Sequence, residues 1–211
     1  MAGRSSHPPY EIRTERLVLR CWEPRDAPAL DIAVRASLDH LRAWMPWAHA
    51  EPTTLDERVA LLRRFRGAFD LGQDFVYGLF ELDGETVVGG SGLHTRLDDD
   101  ALEIGYWIRA DATGRGLATE ATAALTRVAL ELVGVGRVEI HVDPANAASI
   151  AIPRRLGFTE EGTLRRRLDP QPGAERRDAV VFTMFADELS RSAAATVAFE
   201  AFDALGRPVP G

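Results

Sequence analysis

Apolar and polar residues alternate through TERLVLRCW (14–22), the pattern of a half-buried strand. Beyond Pro24 the period changes: Leu30, Val34, Leu38 and Leu41 recur at helical spacing and predict a helix reaching about His40. LRAWMPWAHAEPTT (41–54) has neither period; it is an aromatic loop broken by Pro46 and Pro52. Thr54 with Glu57 forms a capping box, and Val59, Leu62, Phe65 and Phe69 mark the apolar stripe of the helix it opens. The period then returns to two. DFVYGLFEL (74–82), an Asp83-Gly84 turn and ETVVGGSGLHTR (85–96) read as a hairpin, with LEIGYWIRA (102–110) as a third strand. Leu117, Ala121, Leu125, Val128 and Leu132 then mark a helix that Gly134 and Gly136 stop. RVEIHVD (137–143) reads as a buried strand, and PANAASIAIPRRLGF (144–158) as a short helix ended by Gly157. Two last strands, 158–168 and 176–186, flank PQPG (170–173). The Ala-rich stretch 190–211 reads as a surface helix or a frayed tail.

About seven strands and about four helices in this order predict an α/β domain: a twisted, mixed, mostly antiparallel sheet with helices on both faces. The expected division is a domain over 1–189 and a C-terminal extension over 190–211, helical or disordered.

Composition narrows the function. The chain of 211 residues carries a net charge of −7, which argues against a nucleic-acid partner. All 25 basic residues are arginine, so lysine chemistry, whether a Schiff base or a P-loop, is excluded. No apolar run is long enough to span a membrane, and the first residues carry no secretory signal; a cytoplasmic protein is expected. The one cysteine, Cys21, reads as structural. Five scattered histidines show no metal-ligand spacing, so no metal is expected.

One stretch exceeds what a turn requires. TGRGLATEA (113–121) puts Gly114, Gly116 and Ala118 between a strand and a helix. Free N–H groups and the dipole of a helix N-terminus attract anions, and glycines let a pyrophosphate approach the backbone. A tight connection with no ligand would read the same way. The spacing is neither a Rossmann fingerprint nor a P-loop.

TGRGLATEA, the helix after it, RVEIHVD, and Asn146 and Ser149 ahead of Gly157-Phe158 together resemble the GNAT superfamily of acyltransferases. RTERLVLR, LRAWMPW, LEIGYWI and RRDAVVFTM are similar to its RimJ/RimL type, which acetylates protein N-terminal amines. The likeness runs from about Arg13 to Phe185 and implies the single-domain GNAT fold over 1–189, with acetyl-CoA as co-substrate. It implies that Thr113, Gly114, Arg115, Gly116, Leu117, Ala118 and Thr119 hold the pyrophosphate. Trp107, Ile108 and Arg109 would hold the pantetheine, and Asn146 and Ser149 the rest of the arm. Thr113 departs from the family, which has Gln or Arg there.

The resemblance also implies acetyl transfer to a primary amine, on a protein N-terminus or a small molecule. Glu103 would be the general base and Ser149 a proton donor to the thiolate. The plain alternatives are a surface carboxylate on a strand for Glu103 and a helix N-cap for Ser149. The tyrosine that many relatives use as acid is replaced by Pro153, which also leaves the Ser149 carbonyl without its helical partner. Trp44, Trp47, His94 and Glu103 are the expected acceptor-binding residues, with His141 a further candidate. The two tryptophans could instead only pin their loop to the core. A non-catalytic acyl-CoA-binding module and a transferase for a larger acyl group such as succinyl are the alternatives. A homodimer is expected.

Overall fold

A computed structural model describes residues 7–210. The strands are β1 (Glu11–Arg13), β2 (Val18–Cys21), β3 (Phe75–Phe80), β4 (Val87–His94), β5 (Ala101–Ile108), β6 (Arg137–Val142), β7 (Thr159–Leu168), β8 (Arg177–Phe185) and β9 (Glu200–Phe202). The α-helices are α1 (Ala27–Arg35), α2 (Leu38–Arg42), α3 (Leu55–Asp70), α4 (Leu117–Arg127) and α5 (Ala147–Leu156). The strands form one sheet in the order β7-β8-β6-β5-β4-β3-β2-β1-β9. Only β5 and β6 pair in parallel; the other neighbours are antiparallel.

Nine strands replace the expected seven. The first predicted strand starts at Val18, and β1 precedes it as its hairpin partner. β9 comes from the stretch expected to be helix or tail. That stretch makes two short 3-10 turns, Leu189–Arg191 and Ala193–Thr196, and then pairs with β1. Strands of three residues show no period; pairing with a neighbour defines them. The helix expected to reach His40 breaks at Ala36–Ser37 into α1 and α2. There the Ser37 hydroxyl accepts the Ala110 N–H at 2.9 Å, a contact that no local pattern encodes. The capping box at Thr54 and Glu57 forms as read.

Alternation splits the core into two layers. Leu19, Leu79, Leu93, Leu102 and Ile104 pack with α4 on one face of the sheet. Val18, Trp22, Phe80 and Val87 pack with α1 and α3 on the other. Cys21 is buried, and burial pushes its thiol up to about 11, as suits a packing residue.

The short parallel pairing of β5 with β6 positions the site. β5 and β6 pair only at Ala101–Arg137, Leu102–Val138 and Glu103–Glu139. Beyond that level both strands continue, β5 to Ile108 and β6 to Val142, without pairing. The sheet is therefore open between them.

Candidate active site

A cleft of about 590 Å³ lies where β5 ends, α4 begins and α5 faces them. Its wall at the sheet is Tyr106, Trp107 and Ile108; its floor is Thr113, Gly114, Gly116, Leu117, Ala118 and Thr119; Asn146 and Ser149 close it from α5, and Trp44 from the aromatic loop.

The floor is an uncapped helix N-terminus. Gly116 is the N-cap of α4 in a left-handed conformation (φ 79°), and no side chain caps the helix. Leu117, Ala118 and Thr119 of the first turn line the cleft, and their N–H groups have no intrahelical acceptor. Thr113 does not replace the family's long donor, because its hydroxyl turns back to the Ala110 carbonyl at 2.8 Å. A buried carboxylate holds the loop. Glu120 accepts from the Thr14 hydroxyl at 2.6 Å and from the Arg16 Nε at 2.6 Å. The same guanidinium donates to the Arg115 carbonyl at 2.7 Å, tying the loop to the start of the chain.

Two expected cofactor residues turn elsewhere. The Arg109 side chain pairs with Asp111 at 2.6 Å and with the Val87 carbonyl. The Arg115 side chain is exposed and lies 3.8 Å from Glu81. Neither lines the cleft. Trp47 is also outside it, packed edge-on against Trp107 at 6.0 Å between centroids.

Ser149 is not the cap of α5. The Asn146 side chain caps that helix by accepting the Ser149 N–H at 3.1 Å, which leaves the Ser149 hydroxyl for other work. The hydroxyl sits 3.0 Å from the Tyr106 phenol, which also donates to the Ser149 carbonyl at 3.1 Å. That carbonyl is the acceptor Pro153 orphans. The sequence reading found no tyrosine in the helix; the fold supplies one from β5. Its signal was present, since Tyr106 shares parity with Leu102, Ile104 and Ile108 and must face α4 and α5. Burial pushes the Tyr106 phenol up to about 12, against the lowering effect of its bond to Ser149, so it is a protonated donor at neutral pH.

Glu103 lies on the opposite face of the sheet. There β4, β5 and β6 line up His94, Glu103 and Glu139 in one row. Glu103 is buried and bound at both oxygens by Arg96, at 2.7 and 2.5 Å. These bonds hold the Arg96 guanidinium above its usual range. His141 Nε2 donates to the Glu139 carboxylate at 2.8 Å, and its Nδ1 lies 3.8 Å from Glu103. Burial raises the Glu139 carboxyl, but Arg137 and His141 outweigh it and leave it below the ordinary range. His94 binds Asp74 at 2.9 Å. Sequence reasoning missed Asp74, Arg96 and Glu139, which look like ordinary surface charges until the strands pair. The seam where β5 and β6 stop pairing begins just past Glu103. On the polar side the β7–β8 loop reaches across to the aromatic loop, with Gln171 on the Ala43 carbonyl and Arg177 on that of Trp44.

Among the described residues, no group of three or more His, Cys, Asp or Glu is placed to hold a metal ion. No helix among them is long and apolar enough to cross a membrane.

Comparison with known proteins agrees with this geometry. Residues 16–159 match the family described as acetyltransferase (GNAT) domain. The chain is 31% identical over 153 residues to the putative ribosomal N-acetyltransferase YdaF of Bacillus subtilis, covering 72% of this chain and 82% of that one. It is 29% identical over 164 residues to the ribosomal protein uS5-alanine N-acetyltransferase of Escherichia coli, covering 75% and 83%. The structure of Mycobacterium smegmatis RimJ in complex with CoA-disulfide matches with a TM-score of 0.79 at 30% identity, over 90% of this chain and 94% of that one.

Proposed function

This chain belongs to the GNAT acetyltransferases, in the RimJ/RimL type, and on that footing we propose that it moves the acetyl group of acetyl-CoA directly to a primary amine. The acceptor is the N-terminal amine of a protein or a small amine. The observation that carries this reading is the open seam between β5 and β6, with a phosphate-type cleft on one side and a carboxylate-rich face on the other. The first turn of α4 receives the pyrophosphate. The backbone of Trp107 and Ile108, paired with β4 but not with β6, holds the pantetheine arm and steadies the thioester oxygen. The thioester reaches the seam, and the amine approaches from the face of Glu103, Glu139 and Asp74, where negative charge attracts a cationic acceptor.

Aminolysis needs the amine deprotonated and the leaving thiolate protonated. The proton from the amine goes to the polar cluster that includes Glu103, the base expected from the sequence. On the cleft side Ser149 and Tyr106 form one hydrogen-bonded unit that delivers a proton to sulfur.

Calorimetry with acetyl-CoA, followed by thiol release over a panel of N-terminal peptides and small amines, tests the reading. Micromolar binding and amine-dependent release are expected; release with succinyl-CoA in preference to acetyl-CoA would reassign the donor. Binding without release on every amine would overturn the acceptor class. Tyr106→Phe and Ser149→Ala should each lower kcat about 10- to 100-fold. Their double variant should be little worse than either, since the two hydroxyls act through one bond.

A further inference from the structure

The polar face holds several titratable groups, and they are not equally engaged. Glu103 gives both oxygens to Arg96. His141 has Nε2 on Glu139 at 2.8 Å and turns Nδ1 toward Glu103 at 3.8 Å. His94 differs. Its Nδ1 is bound to Asp74 at 2.9 Å, and among the described residues nothing binds its Nε2. A carboxylate only accepts, so Nδ1 carries the proton and Nε2 of the neutral ring presents a lone pair.

The direction of that lone pair follows from the sheet. Asp74 stands just before β3, and β3 and β5 flank β4 on opposite sides. The ring therefore crosses β4 with Nδ1 toward β3 and Nε2 toward β5. Two glycines make this crossing possible. A Cβ on Gly92 would meet the imidazole Cε1 and Nε2 at 2.8 Å, and a Cβ on Gly105 would meet Nε2 at 3.4 Å. Gly92 and Gly105 are paired neighbours, and Gly105 lies two residues past Glu103, where β5 and β6 no longer pair. The lone pair thus points over bare backbone at the open seam.

We infer that His94 Nε2 is the proton acceptor for the substrate amine, with Asp74 a positioning residue that fixes the tautomer. This rests on the acetyltransferase reading above. An ammonium acceptor gives one proton to His94 Nε2. The free amine adds to the thioester carbon, the C–N bond forms and the C–S bond breaks. The Tyr106–Ser149 pair protonates the thiolate and recovers its proton as the adduct nitrogen sheds its second N–H, giving amide and CoA thiol. The imidazolium then returns its proton to water. Asp74, Arg96, Glu103, Glu139 and His141 are the charged and titratable groups that surround the imidazole on this face.

The test compares His94→Gln and Asp74→Asn with wild type by kcat, by calorimetric affinity for acetyl-CoA and by the pH profile of kcat/KM. His94→Gln should lose about 100-fold or more in kcat, keep acetyl-CoA affinity within about twofold, and lose the acidic limb of the profile. Added imidazole should restore part of the rate to His94→Ala. Asp74→Asn should lower kcat about tenfold or more, because an amide donating to Nδ1 selects the wrong tautomer, and should displace the same limb. Unchanged acetyl-CoA affinity also shows that each variant folds. Wild-type turnover with kcat and acidic limb intact in His94→Gln would overturn this assignment alone. A wild-type chain that binds acetyl-CoA and acetylates no amine would overturn it together with the acceptor reading.

Discussion

Gly116→Val is expected to bind acetyl-CoA about a hundredfold more weakly than the wild type. Gly116 sits at φ 79°, where a β-branched residue is strained by about 1–3 kcal/mol. Space is not the obstacle, since a Cβ there meets only Arg16 Nη2, at an ordinary 3.5 Å. The backbone relieves the strain by leaving the left-handed region, and that turn re-aims the first N–H groups of α4 away from the phosphates. The valine methyls also stand at the helix mouth, where a pyrophosphate must approach closely. Gly116→Asn is the control. Asparagine tolerates the left-handed region, so it should lose only a few-fold. Calorimetry reads both. Equal, near-native affinity in the two variants would remove this loop as the phosphate site.

Glu51→Ala is expected to destabilise the fold by about 3–5 kcal/mol, a fall in Tm of about 6–20 °C. Arg58 is fully buried and bound at both nitrogens of its fork by Glu51, at 2.7 and 2.8 Å. Asp31 gives it a further contact at 3.2 Å, and its Nε has no partner. Removing Glu51 leaves a buried cation with one weak neighbour. Removing both charges should cost much less, so Arg58→Met/Glu51→Leu is expected to recover much of the loss. Denaturant unfolding of the single and double variants checks this; a single variant within 1 kcal/mol of wild type would contradict it. The pair also reaches function. The Glu51 carbonyl accepts from Arg42 at 2.8 Å, and Glu51 caps Thr53, so the loop bearing Trp44 and Trp47 hangs on the same residue.

Most of the sheet was legible in the chain because its strands are long enough to stand out between turn residues. β1 and β9 were not, since three residues show no period and pairing at the sheet edge makes them strands. The break between α1 and α2 carries no proline or glycine; it is bought by Ser37 reaching Ala110. In the site, the glycine turn was legible for a local reason: Gly116 takes a left-handed position at a helix start. Ser149 was legible only as one of two alternatives, and Asn146 taking the cap separated them.

The facing of Tyr106 was legible from strand parity, but its partner was not, and nothing local marked Asp74 or Arg96. Tyr106 meets Ser149 across forty-three residues of chain, and Asp74 meets His94 across twenty. Hydrophobic period, turn chemistry and caps are properties of neighbouring residues, so the chain alone specifies the longer elements, their order and the glycine turn before α4. Proton transfer depends on which side chains face each other across strands, and on where one parallel pairing stops. Those relations arise only when the sheet closes, because the register that sets them is the sum of contacts between segments far apart in sequence.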